Sequence, residues 1–248
     1  MKRNQLLKAN TGSWNYNLQE EGSDKDYKVF VAPTFEDLYK GKMYADSIIG
    51  KKVDFDVHDI RKLPDLLWKS NIAYLELLFS DDIWFDQDYF GEFRKLLNLA
   101  DGIAKINLPQ LFKSAGGMFI QRMKKLNHVT EGTQHLIDAH GWNTKEGLHT
   151  FRTLNLIVRY ESTEFTDFKS ALKYTDEERK ALLAIKNGEM TKEEFISFVA
   201  MYHDSHFAPI KDKFLSQDPN LELKEEVDNI VMEIVSSKIG EELYFKNK

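Results

Sequence analysis

From Tyr27 to Val31 the run YKVFV is dense in β-formers, and from Lys51 to Ile60 the run KKVDFDVHDI alternates apolar Val53, Phe55 and Val57 with polar Asp54, Asp56 and His58. Alternation with a period of two marks a strand with one covered face. Two strands are therefore predicted, and Asn4 to Lys8 reads as the end of a short opening helix or the lead-in to a strand. The segment IRKLPDLLWKSNIAYLELLFS then carries leucines and aromatics at helical spacing. Pro64 and Asn71 interrupt it, which predicts two short helices or a helix and a turn.

Beyond about Asp86 the spacing becomes helical throughout, in EFRKLLNLADGIAKI, LPQLFKSAGGMFIQRMKKLNHV, NTKEGLHTFRTLNLIVRYES and NLELKEEVDNIVMEIVSSKIGEELY. Two further helices, in TDEERKALLAIKNG and TKEEFISFVAMYHDSHFAPIKDKFL, each open on a threonine followed closely by acids, an N-terminal capping signal. The pattern predicts an α/β (α+β) chain, with a strand-bearing domain over 1–95 and a helical domain over 96–248. No internal repeat or low-complexity linker is present.

Composition narrows the class. With 248 residues, 42% hydrophobic and 12% aromatic, the chain has ample material for a packed core. No apolar run reaches the length of a membrane span and the first residues lack the apolar centre of a signal peptide, so no membrane partner and a cytoplasmic location are expected. The absence of cysteine removes disulfides, zinc thiolates and thiol nucleophiles together. Any metal must be held by oxygen or imidazole. A net charge of −6 argues against a generally basic nucleic-acid surface, although a local patch such as Arg122, Lys124 and Lys125 remains open.

The chemistry concentrates near the first strand. Gly12-Ser13 precedes Asp24-Lys25-Asp26 by about ten residues, and two aspartates at i and i+2 on a strand share a face. Adjacent carboxylates are tolerated where a cation offsets their repulsion. Magnesium takes oxygen ligands in octahedral array, from a few carboxylates with phosphate oxygens and water. A third acid on the neighbouring strand completes such a platform: Asp56 is the choice, Asp54 shares its face, and Asp59 lies beyond with the parity of the apolar positions.

This arrangement resembles the polymerase-β-like nucleotidyltransferase superfamily, marked by Gly-Ser, a helix of about ten residues, Asp-x-Asp on a strand and a third carboxylate on another. The chain looks especially like a bacterial and phage group of predicted nucleotidyltransferases, through HDIRKLPDLLWKSNIAYLELLFS, GWNTKEGLHTFRTLNLI and LLAIKNGEMTKEEF, from about Leu6 to about Phe198. It departs where Asn17 replaces a common glycine and Ile72 an expected proline. The resemblance implies a small mixed-sheet nucleotidyltransferase domain, a helical domain that closes one wall of its cleft, and transfer of a nucleoside monophosphate from an NTP to a hydroxyl of an unknown acceptor with release of pyrophosphate. In it Gly12 and Ser13 cradle the triphosphate, Asp24 and Asp26 hold Mg²⁺ (or Mn²⁺), and Asp56 assists a second ion or serves as base. The group also carries a similar Lys, His and Arg, here Lys145, His149 and Arg152, which fall on one helix face at i, i+4 and i+7 and are expected to meet the nucleotide.

Other features are weighed against plainer readings. Glu76, inside the apolar AYLELLFS, supports the site or caps a helix. His203, Asp204 and His206 hold metal-ligand residue types without a third ligand nearby and read as a helix face. Met118, Phe119 and Met123 read as helix-packing core. Two rival functions remain: a non-catalytic, antitoxin-like regulator, expected if neither Asp54 nor Asp56 reaches the first two aspartates, and an RNA-end modifying enzyme, which needs a basic path through Arg122, Lys124, Lys125, Arg152 and Arg159.

Overall fold

The computed structural model describes residues 3–246. The fold is α+β, with a five-stranded mixed sheet near the start of the chain. The strands are β1 (Gln5–Thr11), β2 (Lys25–Val31), β3 (Ala45–Ile48), β4 (Val53–Asp59) and β5 (Ile83–Phe85), in the order β3-β4-β2-β1-β5. Strands β2 and β4 are parallel, and every other neighbouring pair is antiparallel.

The strand expected from β-former density over 27–31 is β2, and the one expected from alternation over 51–60 is β4. The opening stretch is a full strand rather than a helix end: Leu6, Leu7 and Ala9 are buried between β2 and β5, so both neighbours hold it extended. β3 and β5 are short edges of four and three residues, too brief to show an alternation of their own.

One sheet face is apolar, with Val29, Val31 and Val57 buried and Tyr27, Phe55 and Tyr44 packed against them. The opposite face carries Asp26, Lys28 and Phe30 from β2, level with Asp54, Asp56 and His58 from β4. Phe30 is fully buried while Asp26 is exposed, so this face runs from packed to open towards the start of β2.

After β4 the chain forms a 3-10 turn (Ile60–Lys62) and the helices Leu63–Trp68 and Ile72–Leu75. Pro64 sits in the first turn of one, where its missing amide costs nothing, and the Asn71 side chain caps the other by accepting from the Ala73 amide at 3.1 Å. Further on, Thr175 and Thr191 each form a full capping box, with Glu178 and Glu194 respectively, as the acidic starts of those helices predict.

The chain divides into two compact units: residues up to Asn15, Gln19–Asn107 and the chain from Pro219 on form one, and Tyr16–Leu18 with Leu108–Asp218 the other. The sequence expectation places one boundary at 95; the compact units divide at 107 and include the last helix in the first unit. Its stripe Leu223, Val227, Ile230, Val231 and Ile234 is buried, and it packs on the helices Leu63–Trp68 and Phe90–Asn98. Periodicity announces such a stripe without saying which core receives it. In the second unit, Leu108–Met123 packs on Thr144–Ser162, and buried Trp142 stacks on Phe195 at 4.9 Å. No helix among the described residues is long and apolar enough to cross a membrane.

Candidate active site

The site begins where β1 ends. Gly12 has φ +72°, a conformation open to glycine and strained for other residues, and a Cβ there would lie 3.2 Å from Asp26 Oδ2. Glycine thereby lets the turn close onto a carboxylate. Gly12–Trp14 form one 3-10 turn, closed by the Asn15 amide donating to the Gly12 carbonyl at 3.0 Å.

The helix expected after Gly-Ser is not formed beyond this turn. Asn17 adopts φ 60° and Gly22 φ 83°, both incompatible with helix, and Tyr16 and Leu18 are buried in the second unit. The turn therefore offers amides without a helix dipole behind them.

Asp24 lies one residue ahead of β2, its carbonyl accepting from Trp14 Nε1 at 3.1 Å, and its side chain is exposed. Asp26 stands in β2 beside Thr11, whose hydroxyl donates to the Asp26 carbonyl at 3.1 Å. In the parallel register Asp54 is directly level with Asp26, and Asp56 is level with Lys28. Neighbouring strands lie about 4.8 Å apart, so the Asp26 and Asp54 carboxylates rise side by side from adjacent backbones. One Asp54 oxygen accepts from the Gly50 amide at 3.0 Å.

Asp56 is engaged differently. It pairs with Lys28 and, at 3.0 Å, with His58 Nε2, which also lies 2.7 Å from the Tyr74 hydroxyl. Burial works to raise the Asp56 carboxyl, but Lys28 and then His58 outweigh it and hold it below the usual carboxylate range. Burial first, and the Asp56 charge second, push the Tyr74 hydroxyl up to about 12, so it stays protonated as a donor. This network lies one pleat further along the same face as Asp26 and Asp54. Its members Lys28, His58 and Tyr74 are not among the site residues the sequence predicts, although the polar parity of Lys28 and His58 on their strands is an available signal.

Asp59, of opposite parity, is fully buried and paired with Arg61 at 2.6 Å. Glu76 is buried and does both things expected of it: its side chain accepts from the Gly12 amide at 3.2 Å and supports the turn, and its backbone amide caps the helix Ile72–Leu75 by donating to the Ile72 carbonyl. Among the described residues no three His, Asp or Glu side chains form a ready-made metal cage.

In the second unit Lys145, His149 and Arg152 share the helix Thr144–Ser162. Lys145 is exposed, while the Arg152 guanidinium lies over the Tyr16 ring at 3.8 Å. Burial, and then the charges of Arg152, Arg122, Lys145 and Lys186, hold the His149 imidazole well below its ordinary range and therefore neutral. Arg122 is paired with Glu146 at 2.9 Å, and Arg159 pairs with Glu178 and donates to the carbonyls of Ala171, Ser170 and Lys173. These two arginines thus have structural employment, which thins the expected basic path. His203 pairs with Asp204 at 2.8 Å and stacks on Phe119, and His206 stacks on Tyr202.

A family model, RlaP, the RNA repair pathway DNA polymerase beta family, matches residues 3–233. The chain belongs to this family. It is thus a polymerase-β-like nucleotidyltransferase family member over nearly its whole length, with the Gly-Ser turn, Asp24 and the strand that carries Asp26 inside the matched region. No curated protein matches the chain.

Proposed function

We propose that this RlaP-family chain is a divalent-metal-dependent nucleotidyltransferase that moves a nucleoside monophosphate from an NTP to an acceptor hydroxyl. The observation that carries the reading is the closure of a left-handed Gly12 turn onto Asp26, with Asp54 level beside it on the parallel strand. A phosphate-approach turn next to paired carboxylates suits a metal-bound triphosphate.

The donor set fits Mg²⁺ or Mn²⁺. It consists of hard carboxylate oxygens at the open end of the face shared by β2 and β4, and magnesium needs only one or two carboxylates when phosphate and water supply the rest. Asp24, Asp26 and Asp54 would hold it. When bound, the ion neutralises phosphate charge and polarises the phosphorus under attack. We favour Asp54 over Asp56 as the third acid because Asp56 already serves Lys28 and His58.

The chain's own residues then act as follows. The Gly12-Ser13 turn seats the triphosphate and fixes the α-phosphorus near the carboxylates. Asp54 accepts the acceptor's proton, the acceptor oxygen bonds to the α-phosphorus, and the bond from that phosphorus to the bridging oxygen breaks, releasing pyrophosphate. The family's placement in RNA repair favours an RNA-terminal hydroxyl as acceptor. Incubation with each α-labelled NTP, Mg²⁺ or Mn²⁺, and RNA of defined ends tests this; labelled RNA is the expected product, and NTP binding without any transfer would favour the regulatory reading instead.

A further inference from the structure

Glu76 occupies a place where an apolar side chain would pack. It is 4% exposed, and its sequence neighbours Leu75 and Leu77 are fully buried. Burying a carboxylate costs several kilocalories per mole unless its oxygens are used, so a leucine here would serve stability better. What the carboxylate does instead is visible. Oε1 receives the Gly12 amide at 3.2 Å, and the Glu76 carbonyl receives the Asn15 side-chain amide at 3.1 Å. The turn is closed on itself by Asn15 donating to the Gly12 carbonyl at 3.0 Å. One residue therefore grips both ends of the turn from the core side, while Asp26 Oδ2 lies against Gly12.

We propose that Glu76 is the positioning residue of the Gly-Ser turn: its buried carboxylate holds the Gly12 amide inward and the residue in its left-handed conformation, so that the Ser13 amide and hydroxyl are the groups presented to the triphosphate. The inference rests on the nucleotidyl-transfer reading for its ligand, but not for its structural half. Glu76 touches no reacting atom and acts through Gly12. Its placement at the head of the 3-10 turn Glu76–Phe79, behind the Asn71-capped helix, ties the cradle to the buried side chains of Leu75, Leu77 and Leu78.

The test uses the full chain, with Glu76→Gln keeping an acceptor oxygen and Glu76→Leu removing it while filling the space. Solvent exchange of the Gly12 amide, followed by NMR on the protein alone, should be slowed in the wild type and in E76Q and accelerated about tenfold or more in E76L. Calorimetric titration with Mg²⁺-ATP should show a Kd raised about tenfold in E76L and within about threefold of wild type in E76Q, with E76L unfolding no earlier than wild type on heating. Rescue by the glutamine together with an undiminished melting point in the leucine variant separates positioning from general stability. A wild-type Gly12 amide exchanging like an open peptide overturns the proposal even if E76L does not fold, and so does unchanged Mg²⁺-ATP affinity in a folded E76L. If wild type takes no nucleotide, the nucleotidyl-transfer reading fails while the exchange arm still decides whether Glu76 holds the turn.

Discussion

At the scale of single residues, the first unit separates two kinds of acid on one strand. Asp54, level with Asp26, is bonded to a single backbone amide, whereas Asp56 is surrounded by Lys28, His58 and Tyr74. Asp54→Asn should therefore lower kcat by at least about a hundredfold, the usual scale for loss of a catalytic acid-base group, while Asp56→Asn should retain most turnover. Steady-state kinetics of both variants decides between them. Gly12→Ala places a side chain in the left-handed region and its Cβ against Asp26 Oδ2. It should cost about 1–2 kcal/mol of stability and weaken Mg²⁺-NTP binding more than a surface substitution does, read by thermal unfolding and calorimetry.

At the scale of elements, the long alternating and periodic segments were legible because the interactions that shape them are local. β2, β4 and the Thr175- and Thr191-capped helices follow from side-chain parity and capping chemistry alone. β1 was ambiguous because its extended form depends on β2 and β5, which pair with it from distant sequence. The expected helix after Ser13 fails at Asn17, whose left-handed backbone turns Tyr16 and Leu18 into a different unit. Glu76 could be singled out as an acid in an apolar run, but its partner Gly12 is 64 residues away and only folding reveals it.

Two predictions belong to this scale. The paired face of β2 and β4 carries a pH dependence: Asp56 is held below the ordinary carboxylate range when folded, so its contribution to stability is complete above the unfolded pKa of about 3.9 and is lost as pH falls through the lower folded value. Melting temperature plotted from neutral pH down to about pH 2.5 should thus fall less steeply below about pH 4 in Asp56→Asn than in wild type. If Arg152, on the helix Thr144–Ser162, meets the nucleotide as the resemblance implies, loss of that charge-assisted phosphate contact costs about 1.5–3 kcal/mol. Arg152→Ala should then weaken Mg²⁺-NTP use by one to two orders of magnitude, against little change for exposed Lys180→Ala at equal salt. Equal titrations would return Arg152 to a purely packing role over Tyr16.

At the scale of the whole molecule, membership of the RNA repair pathway DNA polymerase beta family spans residues 3–233 and so includes residues of both units. The first unit supplies the turn and the carboxylates, and the final helix completes its core. The account stands on Asp26 and Asp54 acting together to support nucleotidyl transfer. Its most direct measurement is incorporation of α-labelled nucleotide into RNA by wild type, Asp26→Asn and Asp54→Asn, each shown by circular dichroism to be folded. Label transferred with stoichiometric pyrophosphate by wild type, and lost in both variants, is the predicted result; transfer that persists unchanged in folded Asp26→Asn would contradict it.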